Sequence, residues 1–275
     1  MTTWQADDRP ENRPIGPAAM TLVVTRAGLL GAVTYGCLAL LLLVRIAERP
    51  LFGMARPVTP WITQAVCRTA FVIMGIGYRV QGRPMLHKGA IVANHASWLD
   101  IFALNACQRV YFVSKAEVAR WPGIGWLARA TGTVFIARDR RKAKAQEGLL
   151  AERLRAGHRI LFFPEGTSTD GRRVLPFKST LFSAVGQPDL LDMLWVQPVS
   201  VVYHAPAGRD ARHYGWWGDM DFGPHFAQTL SVWRQGTVSV MFHDPVRVAD
   251  FPDRKALSRH CEDVVGAGVT ARLDA

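Results

Sequence analysis

Two residues in the stretch Asn94-His95-Ala96-Ser97-Trp98-Leu99-Asp100 are of types that move protons. A neutral imidazole takes a proton from a hydroxyl near pH 7 once its tautomer is fixed, and Asp100 can accept from His95 Nδ1 if the chain folds back. The pair is then a base and its orienter, with no serine nucleophile in the pattern. Taken alone, it also reads as a hydrogen-bonded turn histidine beside a helix-capping aspartate. A second stretch, Phe163-Pro164-Glu165-Gly166-Thr167-Ser168-Thr169-Asp170-Gly171, leaves an apolar run and enters a loop. Pro164 ends the ladder and Gly166 allows close backbone approach, so Glu165 and Thr167 stand at a strand's C-terminal edge, where α/β sheets keep their sites. A surface turn has similar composition.

The elements around these stretches follow from apolar runs and their punctuation. Ala90-Ile91-Val92-Ala93 after Gly89 reads as a buried strand, and Ser97 with Asp100 three residues on is a capping-box-like helix start. Further strands are predicted at Val110–Val113, Thr133–Ile136, Arg159–Phe163, Trp195–Val202 and Val238–Phe242. Helices are predicted at Trp98–Cys107, Trp126–Thr131, Lys142–Ala156, Lys178–Val185 and from about Arg254. The alternation implies an α/β fold, a mostly parallel sheet covered by helices. The helix over Lys142–Ala156, with Asp139 as its cap and Gly157 as its stop, opens among Arg138, Arg140, Arg141, Lys142 and Lys144. That cluster suits a solvated face or a dock for phosphate, anionic lipid or an acidic carrier protein.

Composition narrows the partners. A formal charge of +11 and a pI near 10.1 call for something anionic. Nucleic acid is disfavoured, since no aromatic residues interleave with the bases and no reading motif is present. Cys37, Cys67, Cys107 and Cys261 lie far apart, which points to neither disulfides nor a metal and fits a reducing compartment.

From Ala27 to Val44 the chain runs 18 residues without a charge, just enough to span a bilayer, although a buried core helix passes the same test. Asp7, Asp8 and Glu11 precede it, whereas Arg45, Arg49, Arg56, Arg68, Arg79, Arg83 and Lys88 follow, which puts the C-terminal side in the cytoplasm. Trp61–Tyr78 is a second apolar segment with Arg68 in its middle, which suits an interfacial helix with Arg68 snorkelling. The expected organisation is an N-terminal tail over 1–26, membrane-anchoring helices over 27–78 and a catalytic α/β domain over 79–275.

The two loops together, His-x4-Asp followed about 65 residues later by F-P-E-G-T, resemble the glycerolipid acyltransferase family of lysophosphatidic-acid acyltransferases. Ser114-Lys115-Ala116-Glu117, Trp121-Pro122-Gly123-Ile124-Gly125, Gly132-Thr133-Val134-Phe135-Ile136-Ala137-Arg138 and Val196-Gln197-Pro198-Val199 resemble further family blocks in the same order. The resemblance runs from about residue 80 to 205. It implies transfer of a fatty acyl group from a thioester, on acyl carrier protein or coenzyme A, to a lysolipid hydroxyl, with no cofactor and no metal. It further implies His95 as base, Asp100 as its orienter, and Arg138, Glu165, Gly166 and Thr167 at the acceptor headgroup with Lys115 nearby. It places the site on the cytoplasmic face of a bacterial inner membrane.

The chain departs from the family pattern at Ser168, where an arginine assigned to the acceptor's phosphate usually stands. Pro176-Phe177-Lys178 is likewise followed by Ser179-Thr180 where a basic residue and glycine are usual. Serine cannot grip a phosphate bidentately. A branch that reads similarly, with E-G-T-S-x-D-G, is the lyso-ornithine lipid acyltransferases, whose acceptor carries a carboxylate and an amine. Asp170 is then a candidate partner for the ammonium, or a turn residue before Gly171. Lysophosphatidic acid held by Arg138, Lys115 and Arg172 or Arg173 is the alternative acceptor. A non-catalytic lipid- or carrier-binding protein is the alternative of another class.

Overall fold

The computed structural model describes residues 4–6, 8–137, 139, 141 and 143–274. Its strands are β1 (Gly77–Gln81), β2 (Gly89–Ala93), β3 (Tyr111–Lys115), β4 (Val134–Ile136), β5 (Ile160–Phe162), β6 (Trp195–His204), β7 (Thr237–Phe242) and β8 (Val246–Arg247). They form one sheet in the order β1-β7-β6-β2-β5-β3-β4, with β8 on the outer side of β6's first half. Only β6–β7 and β6–β8 are antiparallel. The helices are α1 (Pro17–Phe52), α2 (Thr59–Met74), α3 (Leu99–Cys107), α4 (Ile124–Thr131), α5 (Ala143–Arg155), α6 (Phe222–Leu230) and α7 (Arg254–Leu273).

Every residue of β2 is buried, so both sheet faces must be covered. One apolar cluster joins the odd-numbered side chains Ile91 and Ala93 to α1, α2, α3 and α6. The other joins Ala90 and Val92 to α5, α7 and the loop through Phe182. The period of two along a single strand thus feeds two cores. The register β2–β5 (Val92 beside Phe162) and β3–β5 (Phe112 beside Leu161) brings the ends of β2, β5, β3 and β4 to one edge. His95, Glu165 and Lys115 all follow from that edge.

The six strands read from the sequence are present. β1 was not foreseen because its residues are half-buried or exposed and carry no apolar run. α6 escaped because Gly223 and Pro224 interrupt its pattern, yet in the first turn a proline forfeits no helical hydrogen bond. The helix expected over Lys178–Val185 is a single 3-10 turn, Ser179–Phe182, whose entry is held by Lys178 N–H donating to Pro164 O. Asp139 accepts from Arg141 N–H at 2.9 Å, a local turn contact, while α5 begins four residues later at Ala143; Arg138, Arg140 and Lys142 lie outside the described residues.

α1 is longer than the uncharged stretch, starting at Pro17 in the first helical position. Both ends of that stretch are tied to one domain. Arg26 Nη1 donates to Leu230 O (2.9 Å) and Val232 O (2.6 Å), while buried Glu48 accepts from Val58 N–H (2.8 Å), Thr59 N–H (3.1 Å) and Thr59 Oγ1 (2.7 Å). The helix therefore lies along the domain, with Val24, Leu29, Leu40, Leu42, Leu43 and Ile46 exposed. α2 is packed between α1 and α3, contributing Cys67, Ala70, Phe71 and Met74 to the first core. Arg68, expected to snorkel, donates Nε to Ala106 O at 2.8 Å, and Gln64 Nε2 reaches the same carbonyl at 3.2 Å. Together they satisfy an orphan carbonyl at the negative end of α3.

Candidate active site

The chain turns sharply between β2 and α3, and Asp100 makes the turn. Its side chain is fully buried; Oδ2 accepts from His95 Nδ1 (2.7 Å), Ala96 N–H (2.8 Å) and Ser97 N–H (3.0 Å), and Oδ1 accepts from Tyr203 OH (2.8 Å). This is the carboxylate half of a capping box. The serine half is missing, since Ser97 Oγ is buried without a partner and Trp98 stands at the cap. Because Nδ1–H points at a carboxylate, the imidazole's Nε2 keeps its lone pair and can act as a base. The ring lies against Phe163, centroids 4.1 Å apart and planes 12° apart, and its side chain remains 21% exposed. One face is packed and one edge is open, as proton transfer from an incoming hydroxyl requires. The N–H groups of Ala96 and Ser97 are taken up by Asp100 and are not available to an oxyanion.

Glu165 lies beneath this turn and not in front of it. It is 1% exposed, and its two oxygens accept from His95 N–H (2.6 Å) and Leu175 N–H (2.7 Å). Burial pushes its carboxyl up to about 8, opposed by the two backbone donors. Glu165 thus ties the His95 turn to the loop that follows β5, instead of offering oxygens to a headgroup. Gly166 makes the turn possible. Its φ is +70°, and a Cβ there would come within 2.7 Å of Lys178 Nζ, which donates to Glu165 O at 2.7 Å. Thr169 adds a second tie, donating N–H to His95 O (2.9 Å) and placing Oγ1 3.3 Å from the same oxygen.

The remaining expected residues are spread around this centre. Thr167 is buried, its Oγ1 accepting from Trp4 N–H at 3.4 Å, and Ser168 is half-buried. Asp170, read as a partner for an ammonium, is 3% exposed, and its carboxylate is occupied by Arg173 (3.3 and 3.1 Å) and Arg172 N–H (3.0 Å). It is the turn residue of the alternative reading, with an arginine on it. Lys115 ends β3, on the same sheet edge as His95 but two strands away, about 10 Å at the usual spacing. Arg138 lies outside the described residues.

Three contributors were not read from the sequence. Tyr203 holds Asp100 from a strand 103 positions away. Phe163 supports the imidazole. Trp98, Trp216, Phe222 and Phe226 form an aromatic wall directly after His95, with centroids 5.5 to 6.2 Å apart. Trp98 and Phe163 lie in quoted motifs; Tyr203, Trp216, Phe222 and Phe226 meet the site through tertiary folding.

The Acyltransferase family model matches residues 78–202, which include His95, Asp100, Glu165 and Asp170 and stop one residue short of Tyr203. Over 98% of this chain and 98% of its own length, the lyso-ornithine lipid O-acyltransferase of Rhodobacter capsulatus is 56% identical. The chain belongs to the glycerolipid acyltransferase family. Within it the enzyme falls with the lyso-ornithine lipid O-acyltransferase branch: the protein of that name from Pseudomonas aeruginosa is 32% identical over 90% of this chain and 93% of its own. The 1-acyl-sn-glycerol-3-phosphate acyltransferase of Neisseria gonorrhoeae is also 32% identical, over 76% and 81%. The fold matches the crystal structure of the 1-acyl-sn-glycerophosphate (LPA) acyltransferase PlsC from Thermotoga maritima, with a TM-score of 0.66, 24% identity, and coverage of 94% and 97%. This acyltransferase is therefore a lysolipid acyltransferase.

Proposed function

We propose that this acyltransferase converts lyso-ornithine lipid to ornithine lipid at a membrane surface, taking the acyl group from acyl carrier protein or coenzyme A. The observation that carries the reading is the His95–Asp100 pair with an open Nε2 beside a loop that lacks the family's arginine at 168. In the reaction the acceptor hydroxyl attacks the thioester carbonyl while His95 Nε2 takes its proton. The tetrahedral intermediate expels the thiolate, the C–O ester bond replaces the C–S bond, and the imidazolium returns the proton to sulfur. Asp100 holds the tautomer and stabilises the transient imidazolium. No acyl-enzyme and no cofactor enter this sequence. The exposed apolar face of α1, flanked by Arg45 and Arg49, suits shallow insertion into one leaflet of the inner membrane from the cytoplasmic side.

The test is transferase activity of the purified full-length enzyme in detergent, with lyso-ornithine lipid and lysophosphatidic acid offered in parallel and both thioesters as donors. Preference for the ornithine lipid supports the reading. Preference for lysophosphatidic acid overturns it and assigns phosphate binding to other cations.

A further inference from the structure

The loop after β5 lacks the family's arginine at 168 but carries another, Arg173, held from two sides. On one side Asp170 accepts from Nε at 3.3 Å and from Nη2 at 3.1 Å. On the other, the guanidinium carbon lies 5.3 Å from the centroid of the Trp4 ring. Trp4 comes from the N-terminal tail, and it is itself fixed: its N–H donates to Thr167 Oγ1 at 3.4 Å and its ring meets Trp217 at 5.9 Å. The tail is strapped down further along by Arg9 on Asp219, by Arg212 on Asp8 (3.0 Å) and by Arg13 Nη2 on Gly208 O (2.9 Å). Arg173 nonetheless keeps 57% of its side chain exposed, and Nη1 has no hydrogen-bond partner among the described residues. Its backbone stands beside the catalytic turn, since Thr169 Oγ1 is 3.3 Å from His95 O and 3.4 Å from Arg173 O.

We infer that Arg173, oriented by Asp170 and Trp4, binds the carboxylate of the acceptor headgroup. The inference rests on the lyso-ornithine reading and names the group that recognises that acceptor. The physical reason is charge. An arginine already paired to a buried carboxylate contributes no net charge, so it attracts a phosphate dianion far less than a bare guanidinium does, yet its unused N–H groups still meet a carboxylate. A headgroup carrying both a carboxylate and an ammonium is not repelled by such a pair. A bare arginine at 168 has the opposite preference. Asp170 and Trp4 are positioning residues, and Arg173 alone touches the acceptor.

The experiment compares three acceptors, lyso-ornithine lipid, its carboxyl methyl ester and lysophosphatidic acid, on the full-length wild type, Arg173→Gln and Asp170→Asn. Loss of one charge-assisted contact raises KM roughly ten- to hundredfold. Esterification is expected to do so for the wild type with kcat little changed, and to leave Arg173→Gln, already weakened for the free acid, indifferent. Asp170→Asn exposes an uncompensated arginine, so kcat/KM for lysophosphatidic acid relative to lyso-ornithine lipid rises about tenfold. An Arg173→Gln enzyme that keeps the wild-type ratio of KM values for ester and acid overturns the assignment, even where Asp170→Asn fails to fold. A wild type that acylates lysophosphatidic acid and not lyso-ornithine lipid overturns the acceptor itself, which is a separable failure.

Discussion

In the proposed reaction His95 and Asp100 divide the chemistry in a way that mutation separates. His95→Ala removes the base while the backbone N–H that Glu165 holds remains, so the fold is kept and kcat falls by about 10²–10⁴, read in the acceptor assay against an unchanged melting curve. Asp100→Asn costs both activity and stability. The asparagine's amide nitrogen can face Tyr203 OH and donate to it, but the hydrogen of that buried hydroxyl then loses its acceptor, while Ala96 N–H and Ser97 N–H meet a neutral oxygen in place of a carboxylate. Leaving a buried donor unmatched costs about 1–3 kcal/mol, which thermal denaturation reads directly. Glu165 makes a prediction in pH. A carboxyl raised from its ordinary 4.5 to about 8 binds a proton on folding, so the stability it contributes is full at low pH and is lost as pH rises through 8. Between about pH 6 and about pH 7.5 the slope is about 1.4 kcal/mol per pH unit. In Glu165→Gln that component vanishes, although Gln is less stable throughout because its NH2 faces a backbone N–H. The difference between the two proteins' unfolding free energies, measured across this range, isolates it from buried histidines such as His158 and His225, which burial lowers to about 4. An equal slope in both proteins rules the assignment out.

At the scale of elements, α1 and α2 are joined through Glu48, whose carboxylate closes the first turn of α2 and receives Arg45 Nη1 at 3.2 Å. Glu48→Ala leaves two backbone donors at Val58 and Thr59 unmet and is expected to cost about 2–3 kcal/mol in melting experiments, with the acceptor preference unchanged. That contact is invisible in the sequence, where Glu48 is a lone acid between Arg45 and Arg49. What was legible followed local rules. β2 was found because four of its five buried residues read as an apolar run, and α7 was placed from about Arg254, where it does start; the structure adds its cap, Asp253 accepting from Lys255 N–H and Ala256 N–H at 2.8 Å. The hydrogen-bonded pair proposed to be catalytic was legible because His95 and Asp100 lie one turn apart. Glu165 was found as a conspicuous loop acid but given the wrong outlook: whether its oxygens face solvent or His95 N–H depends on packing between strands 70 residues apart. Tyr203 and Trp4 were missed for the same reason, since each is ordinary among its neighbours and acquires meaning only against a residue far along the chain; Arg173 was read only as a phosphate ligand for the alternative acceptor, and its contact with Trp4 could not be seen.

The whole molecule presents one face on which α1, α2 and α4 bring together apolar and cationic side chains. A groove of about 560 Å³ between α1 and α4 is lined by apolar Leu38, Leu42, Trp126 and Ala130 and by cationic Arg45, Arg49, Arg56 and Arg129. Exposed Leu43, Ile46 and Trp61 extend the apolar part. A surface of this kind binds membranes by two additive forces: burial of apolar side chains below the headgroups, and attraction of cations to anionic lipid. The second is separable from catalysis, because these arginines lie at the far end of α1 from the strap that reaches Thr167. Arg45 is neutralised by buried Glu48. Each unpaired basic residue near an anionic surface contributes about 1 kcal/mol, so Arg49→Gln with Arg129→Gln is expected to weaken partitioning onto anionic vesicles roughly thirtyfold. Binding to neutral vesicles of the same chain length stays unchanged. Co-sedimentation at low and at high salt checks both statements, since screening should erase the difference between the double variant and the wild type. Loss of binding to neutral vesicles as well means that the substitutions unseat α1 itself. Retained activity on detergent-solubilised acceptor then distinguishes a displaced anchor from a damaged active site, because His95, Asp100 and Glu165 are held by bonds that do not pass through α1.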